Sequence, residues 1–123
     1  MSYLAQYAAR RPTADRRPRR GVRVDERTKL NLPQFCGGAF VRVFVEDTSR
    51  KRFRRRPPEP RLRLRIADCE NEIYLEFSVE SAERRENSLH KIDTLLAALH
   101  RFREGLADEA ALYADRQHTR ANR

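Results

Sequence analysis

The amino-acid sequence predicts an α+β protein: a small antiparallel β-meander of three to five strands, packed by one long C-terminal helix. A disordered arginine-rich N-terminal segment and a basic inter-strand loop complete it. Three observations predict this class. Apolar and polar residues alternate strictly over 61–66 and again over 72–79. From about Glu86 to Asp115 the apolar spacing changes to three and four residues. Arginine and proline crowd two stretches that hold almost no apolar side chain.

At 123 residues, with 39% hydrophobic and 37% charged residues, the chain has material for one domain with a modest core. Residues 1–20 read as a flexible Arg/Pro-rich segment, residues 21–115 as a single α+β domain, and residues 116–123 as a basic tail. Within the first segment, Tyr3, Leu4 and Tyr7 can share one or two helical turns, too few to be stable alone. Val22 and Val24, then Leu30 and Leu32, alternate with polar residues and suggest two short edge strands. Pro33 to Gly38 is a break.

Residues 39–46 form the next strand, rich in β-branched and aromatic side chains. Val41, Val43 and Val45 share one face, and Phe40, Arg42 and Phe44 share the other. Residues 47–60 form a long exposed loop, closed by three prolines that no interior strand or helix tolerates. The two alternating segments then make a β-hairpin about the polar turn at 68–71. Leu62, Leu64, Ile66, Ile73, Leu75, Phe77 and Val79 form its core face. If Glu70–Asn71 is the loop, Arg65 lies opposite Glu76; a longer loop puts Arg63 there, and both registers keep the apolar faces together.

In the helix, Leu89, Ile92, Leu95, Leu96, Leu99, Phe102, Leu106, Ala110 and Tyr113 form the apolar stripe, with Asn87 or Ser88 as N-cap and Gly105 as a place to bend. Such a helix outreaches a seven-residue strand, which spans ~23 Å. Leu99, Phe102, Leu106 and Tyr113 are therefore expected to meet a second copy of the chain, a homodimer, or another protein.

The net charge is +9, and it is segregated. Residues 1–29 carry +6 and residues 50–65 carry +8, whereas residues 66–115 carry −7. Such asymmetry points to an acidic partner or to an arm that folds onto an acidic surface. The strongest feature is Arg50, Lys51, Arg52, Phe53, Arg54, Arg55 and Arg56: six cations around one aromatic. Like charges so dense exclude a folded interior. They suit the phosphate backbone of nucleic acid, with Phe53 stacking on a base or sugar. A solvated loop is the plain alternative, and lipid headgroups are a third partner that a single Phe anchors weakly. Phe40, Phe44, Arg42, Arg63, Arg65 and Tyr74 form a second candidate surface, a platform for single-stranded nucleic acid on the sheet, unless the two Phe rings are core or covered and the hairpin arginines pair with Glu72 and Glu76. The arginine excess has a compositional explanation as well, since only Lys29, Lys51 and Lys91 are lysines.

Nothing in the pattern calls for catalysis, a cofactor or a metal. His90 and Asp93 sit one turn apart, as do His100 and Glu104, without a third ligand at metal spacing. Cys36 and Cys69 form no CxxC motif, and Cys36-Gly37-Gly38 matches no phosphate loop. No secretory or membrane-spanning segment is present, so the expected place is the cytoplasm. The sequence thus predicts a non-enzymatic nucleic-acid-binding protein of little sequence specificity. The alternative is an interaction or regulatory adaptor that uses the C-terminal helix.

Overall fold

The structure, a computed structural model, describes residues 20–35 and 37–122. The expected helical turns near Tyr3, the flexible segment up to residue 19 and the Cys36 thiol fall outside the described residues. Among the described residues, four strands, β1 (Val22–Lys29), β2 (Phe40–Glu46), β3 (Leu62–Asp68) and β4 (Asn71–Leu75), precede one helix, α1 (Ala82–Ala121). The sheet is an antiparallel meander in the order β1-β2-β3-β4, so the α+β class holds. Contacts divide the chain at Ser88/Leu89 into a unit that holds the sheet and the first turns of α1, and a unit that holds the rest of the helix.

Each strand follows from its residues, with instructive departures. Of the two short strands expected before Pro33, the one at Val22 and Val24 is present and longer, as β1, whereas Leu30 and Leu32 lie beyond it, exposed and in no strand. The β1–β2 hairpin closes with Leu30 N–H donating to the Ala39 carbonyl at 3.0 Å. A bulge between Val22 and Val24 shifts the register near Glu46, as β-bulges do at sheet edges. In the β3–β4 hairpin Asp68 pairs with Asn71, so the loop is Cys69–Glu70, not Glu70–Asn71. Arg65 then lies opposite Tyr74, and with Leu64 opposite Leu75 the pairing is the second of the two expected registers, the one that puts Arg63 in line with Glu76. The shift from the first register is two residues, an even number, so every side chain keeps its expected face. Cys69 takes the left-handed backbone conformation (φ 55°) that this tight loop requires at its first position.

β4 ends at Leu75, four residues before the expected end. Three residues beyond it, Ser78 N–H donates to the Ser88 hydroxyl at 2.9 Å, and that hydroxyl donates to the Ser78 carbonyl at 2.7 Å. The backbone there is satisfied by a side chain instead of a ladder. The helix starts earlier than its apolar stripe. Ser81 is the N-cap, its hydroxyl accepting from Arg84 N–H at 3.2 Å, while Asn87 and Ser88 lie inside the helix. The helix runs without a break through Gly105, and Arg116 and Arg120 belong to its last turns rather than to a tail. Its 40 residues span ~60 Å.

The registers place Val24, Val41, Val43, Val45, Leu62, Leu64, Ile66, Ile73 and Leu75 on one face of the sheet. This is the expected core face, yet none of these side chains is fully buried, and Ile73 is 56% exposed. The buried apolar residues are Ala39, Phe40 and Ala67. Phe40 and Ala67 pair with each other on the opposite, charged face.

Candidate nucleic-acid interface

The charged face is built by alternation in four strands. β1 contributes Asp25, Arg27 and Lys29; β2 contributes Phe40, Arg42, Phe44 and Glu46; β3 contributes Arg63, Arg65 and Ala67; β4 contributes Glu72 and Tyr74. The arginines organise the aromatics. The Arg27 guanidinium lies 4.1 Å from the Phe40 ring centre, and that of Arg65 lies 5.1 Å from the same ring. Arg65 also lies 5.6 Å from the ring of Tyr74, its cross-strand neighbour. Arg61 stands 5.4 Å from Phe44. These separations lie in the cation–π range. The long arginine side chains lie over the ring of Phe40, which is buried on this face together with Glu46 and Ala67.

Carboxylates pair with some of these cations. Arg42 faces Asp25 at 3.7 Å and remains half-exposed. Arg65 makes a short contact with Glu72, whose other oxygen accepts from the Tyr74 hydroxyl at 3.3 Å. The hydrogen bond from Arg65 holds the Glu72 carboxyl below its ordinary pKa. Arg65 Nε is enclosed without a hydrogen-bond partner, as fits a guanidinium lying against rings. Arg27, Lys29, Arg42 and Arg63 are exposed, and Tyr74 is 64% exposed. Phe40 is not a free stacking surface. Phe44 is half-buried, and Tyr74 is the open ring.

The arm, residues 47–60, leaves the sheet between β2 and β3, and its base is fixed. Glu46, 8% exposed, accepts from the Arg61 backbone N–H at 3.1 Å and from Lys51 Nζ at 3.0 Å. The Arg61 guanidinium lies 3.6 Å from the same carboxylate. Glu46 N–H donates to the Arg61 carbonyl at 2.9 Å, so one residue ties together both ends of a long loop. The Arg61 hydrogen bond and then the Lys51 hydrogen bond hold the Glu46 carboxyl below its ordinary pKa. Asp47 is lowered as well, chiefly by the Ser49 backbone N–H that caps its side chain, with Arg23 adding an ion pair at 3.1 Å.

Beyond this base the chain is open. Arg50, Arg52, Phe53, Arg54, Arg55 and Arg56 are exposed, Phe53 by 57%. Among the described residues no carboxylate lies within ion-pair distance of Arg52, Arg54, Arg55 or Arg56, whereas Lys51 is engaged by Glu46. The expected arm residues therefore fall into two groups, one anchoring the loop and one free to meet an anion. The sequence reading missed Arg27, Arg61 and Glu46. The latter two flank the arm, and that position was the available signal; Arg27 becomes visible only once the β1–β2 register is known.

In the second unit, Leu99, Phe102, Leu106 and Tyr113 are exposed by 48–68%, and no residue of α1 is buried. His100 and Glu104 approach to 3.1 Å. Among the described residues no group of three or more His, Cys, Asp or Glu is arranged to hold a metal, and no helix is long and apolar enough to cross a membrane. No family model, curated protein or solved structure matches this chain.

Proposed function

We propose that this chain is a non-enzymatic nucleic-acid-binding protein that grips the phosphate backbone through the arm Arg50 to Arg56, with little sequence preference and without a cofactor. The observation that carries the reading is the free quartet Arg52, Arg54, Arg55 and Arg56, exposed on a loop whose base is held by a buried carboxylate. Four guanidiniums this close repel one another, and a polyanion relieves that repulsion while releasing its counterions. Arg42, Arg63 and Arg65 extend the positive surface onto the sheet. The exposed thiol of Cys69 suits a reducing compartment, which favours the cytoplasm. The test is fluorescence anisotropy of labelled oligonucleotides across ~50–200 mM salt, where log affinity falls linearly with log salt for phosphate-driven binding. Binding absent at the lowest salt, from folded protein, overturns the reading.

A second reading concerns the helix and extends the first. Ile92, Leu99, Leu106 and Tyr113 recur every seventh residue, with Leu95 and Phe102 three residues after the first two. This 3.5-residue repeat is the pattern of a helix that packs along another helix. α1 is the only helix among the described residues, so a second copy of the chain is the natural partner, and a different protein is the alternative. Sedimentation of the wild type against a Leu99→Asp, Phe102→Asp variant tests it: a dimer that dissociates supports the homodimer, and a wild-type monomer removes it.

A further inference from the structure

We propose that the charged face of the sheet binds single-stranded nucleic acid, with the open ring of Tyr74 as the base-stacking surface. This rests on the nucleic-acid reading above and names the substrate class of the same surface. Four planar groups follow one another across the sheet: Arg27, Phe40, Arg65 and Tyr74, with successive guanidinium-to-ring separations of 4.1, 5.1 and 5.6 Å. The inner members are covered by their neighbours. Tyr74 ends the row on the edge strand β4 and is 64% exposed.

Its ring is also held in place. Arg65 lies against it, and Glu72 receives both the Arg65 guanidinium and the Tyr74 hydroxyl, the latter at 3.3 Å. A ring fixed this way loses little freedom when a base stacks on it, which favours binding. Arg27, at the start of the row, and Lys29, Arg42 and Arg63 are exposed on the same face and supply phosphate contacts. The face spans three strand spacings, ~14 Å, room for a short run of nucleotides.

The discrimination follows from access. A duplex keeps its base faces stacked inside and offers this surface only phosphates and groove edges, so it gains nothing from Tyr74. A single strand offers free base faces, and one base on an aromatic ring is worth roughly a tenfold change in affinity at the lower end of the usual range.

The experiment compares full-length wild type, Tyr74→Leu and Tyr74→Phe. The probes are labelled oligothymidylate and oligouridylate of about 20 nucleotides, longer than the ~4–16 of a compact single-strand site, and a blunt DNA duplex of the same length. Tyr74→Leu keeps an apolar side chain at an exposed edge position, and a melting curve for each variant verifies its fold. The expected result is a loss of about tenfold in single-strand affinity for Tyr74→Leu, retention by Tyr74→Phe, and unchanged duplex affinity for both. The two single strands decide between DNA and RNA as the preferred form of the same ligand. Wild-type affinity retained by Tyr74→Leu, or an equal loss on single strand and duplex, overturns this inference and leaves the phosphate-binding arm standing. If no probe binds the wild type at any salt, the nucleic-acid reading itself fails. Should Tyr74→Leu not fold, Tyr74→Phe together with Arg27→Gln and Arg63→Gln keeps the test open. Loss of single-strand affinity on removing the two phosphate contacts, with the ring kept, then supports the face, and no loss overturns it.

Discussion

Replacing Arg52, Arg54, Arg55 and Arg56 together with glutamine is the sharpest perturbation of the arm. The substitution removes four charges with no ion-pair partner among the described residues and leaves Lys51, Glu46 and Arg61 to hold the loop base. Each phosphate contact contributes about 0.9 to the slope of log affinity against log salt for duplex DNA, and about 0.7 for single strands. If all four guanidiniums touch phosphate, the slope becomes shallower by about 2.8 on a single strand and about 3.6 on a duplex. From 50 to 200 mM salt, the wild type then loses roughly 50- to 150-fold more affinity than the variant. The assay is anisotropy at several salt concentrations. Arg101, Arg103, Arg116 and Arg120 replaced by glutamine on the helix provide a control with the same change in net charge. An unchanged slope in the arm variant refutes the contact. An equal change in the helix control refutes the location, because net charge alone would then explain the effect.

Three further outcomes test the sheet that carries the arm. Phe40→Ala is expected to cost about 3 kcal/mol, the low end for a buried phenylalanine because its arginine covers can relax, and Phe40→Leu about 1 kcal/mol; urea unfolding checks both, and a cost below ~1 kcal/mol for alanine contradicts the burial of Phe40. Cys69→Gly is expected to stabilise by about 0.5 kcal/mol, since glycine accepts the positive φ of the hairpin loop while adding some unfolded-state entropy; a fall in Tm counts against strain at that position. The carboxyls of Glu46, Asp47 and Glu72 are all held below their ordinary pKa, so their stabilisation is complete above the ordinary carboxylate range and is lost as pH falls through their lowered folded values. Glu46→Gln is expected to lower Tm at neutral pH and to flatten its decline in acid, and parallel Tm–pH curves for variant and wild type contradict the pairing.

The periodic parts of this chain were legible and the contact-dependent parts were not. Alternation in 61–66 and 72–75 fixed the hairpin faces while leaving two registers open, because a shift of two residues is invisible to a period of two. The early start of α1 escaped because Ala82 to Asn87 carry no large apolar residue, so only the Ser81 cap marks the beginning. β4 ends before the alternating pattern does, and past its end a serine ten residues on binds the Ser78 backbone, a contact no strand pattern contains. The candidate surface was half legible. The arm stood out as a run of charge, and the partition of Phe40, Arg42 and Phe44 from the valines was correct. That Phe40 is buried and Tyr74 open depends on Arg27 and Arg65 meeting across three strands, and sequence spacing within one strand is silent about that.

The arm and the sheet face also differ in what each can contribute. Arg52, Arg54, Arg55 and Arg56 have no ion-pair partner among the described residues, but the segment that bears them makes few contacts beyond its base, and ordering it on a ligand costs conformational entropy. It is suited to long-range attraction and salt-sensitive affinity, which need charge and little geometry. The sheet face is the reverse. Asp25, Glu46 and Glu72 neutralise part of its charge, so it attracts less, but its side chains are held by cross-strand contacts before any ligand arrives. Glu46 links the two: it lies on the charged face beside the Arg61–Phe44 contact and fastens both ends of the arm. On the proposed reading, a polyanion drawn in by the arm would thereby be delivered to the edge of the ordered surface. This division of labour predicts that arm substitutions act mainly on association rate and salt dependence, whereas Tyr74 substitutions act mainly on dissociation from single strands.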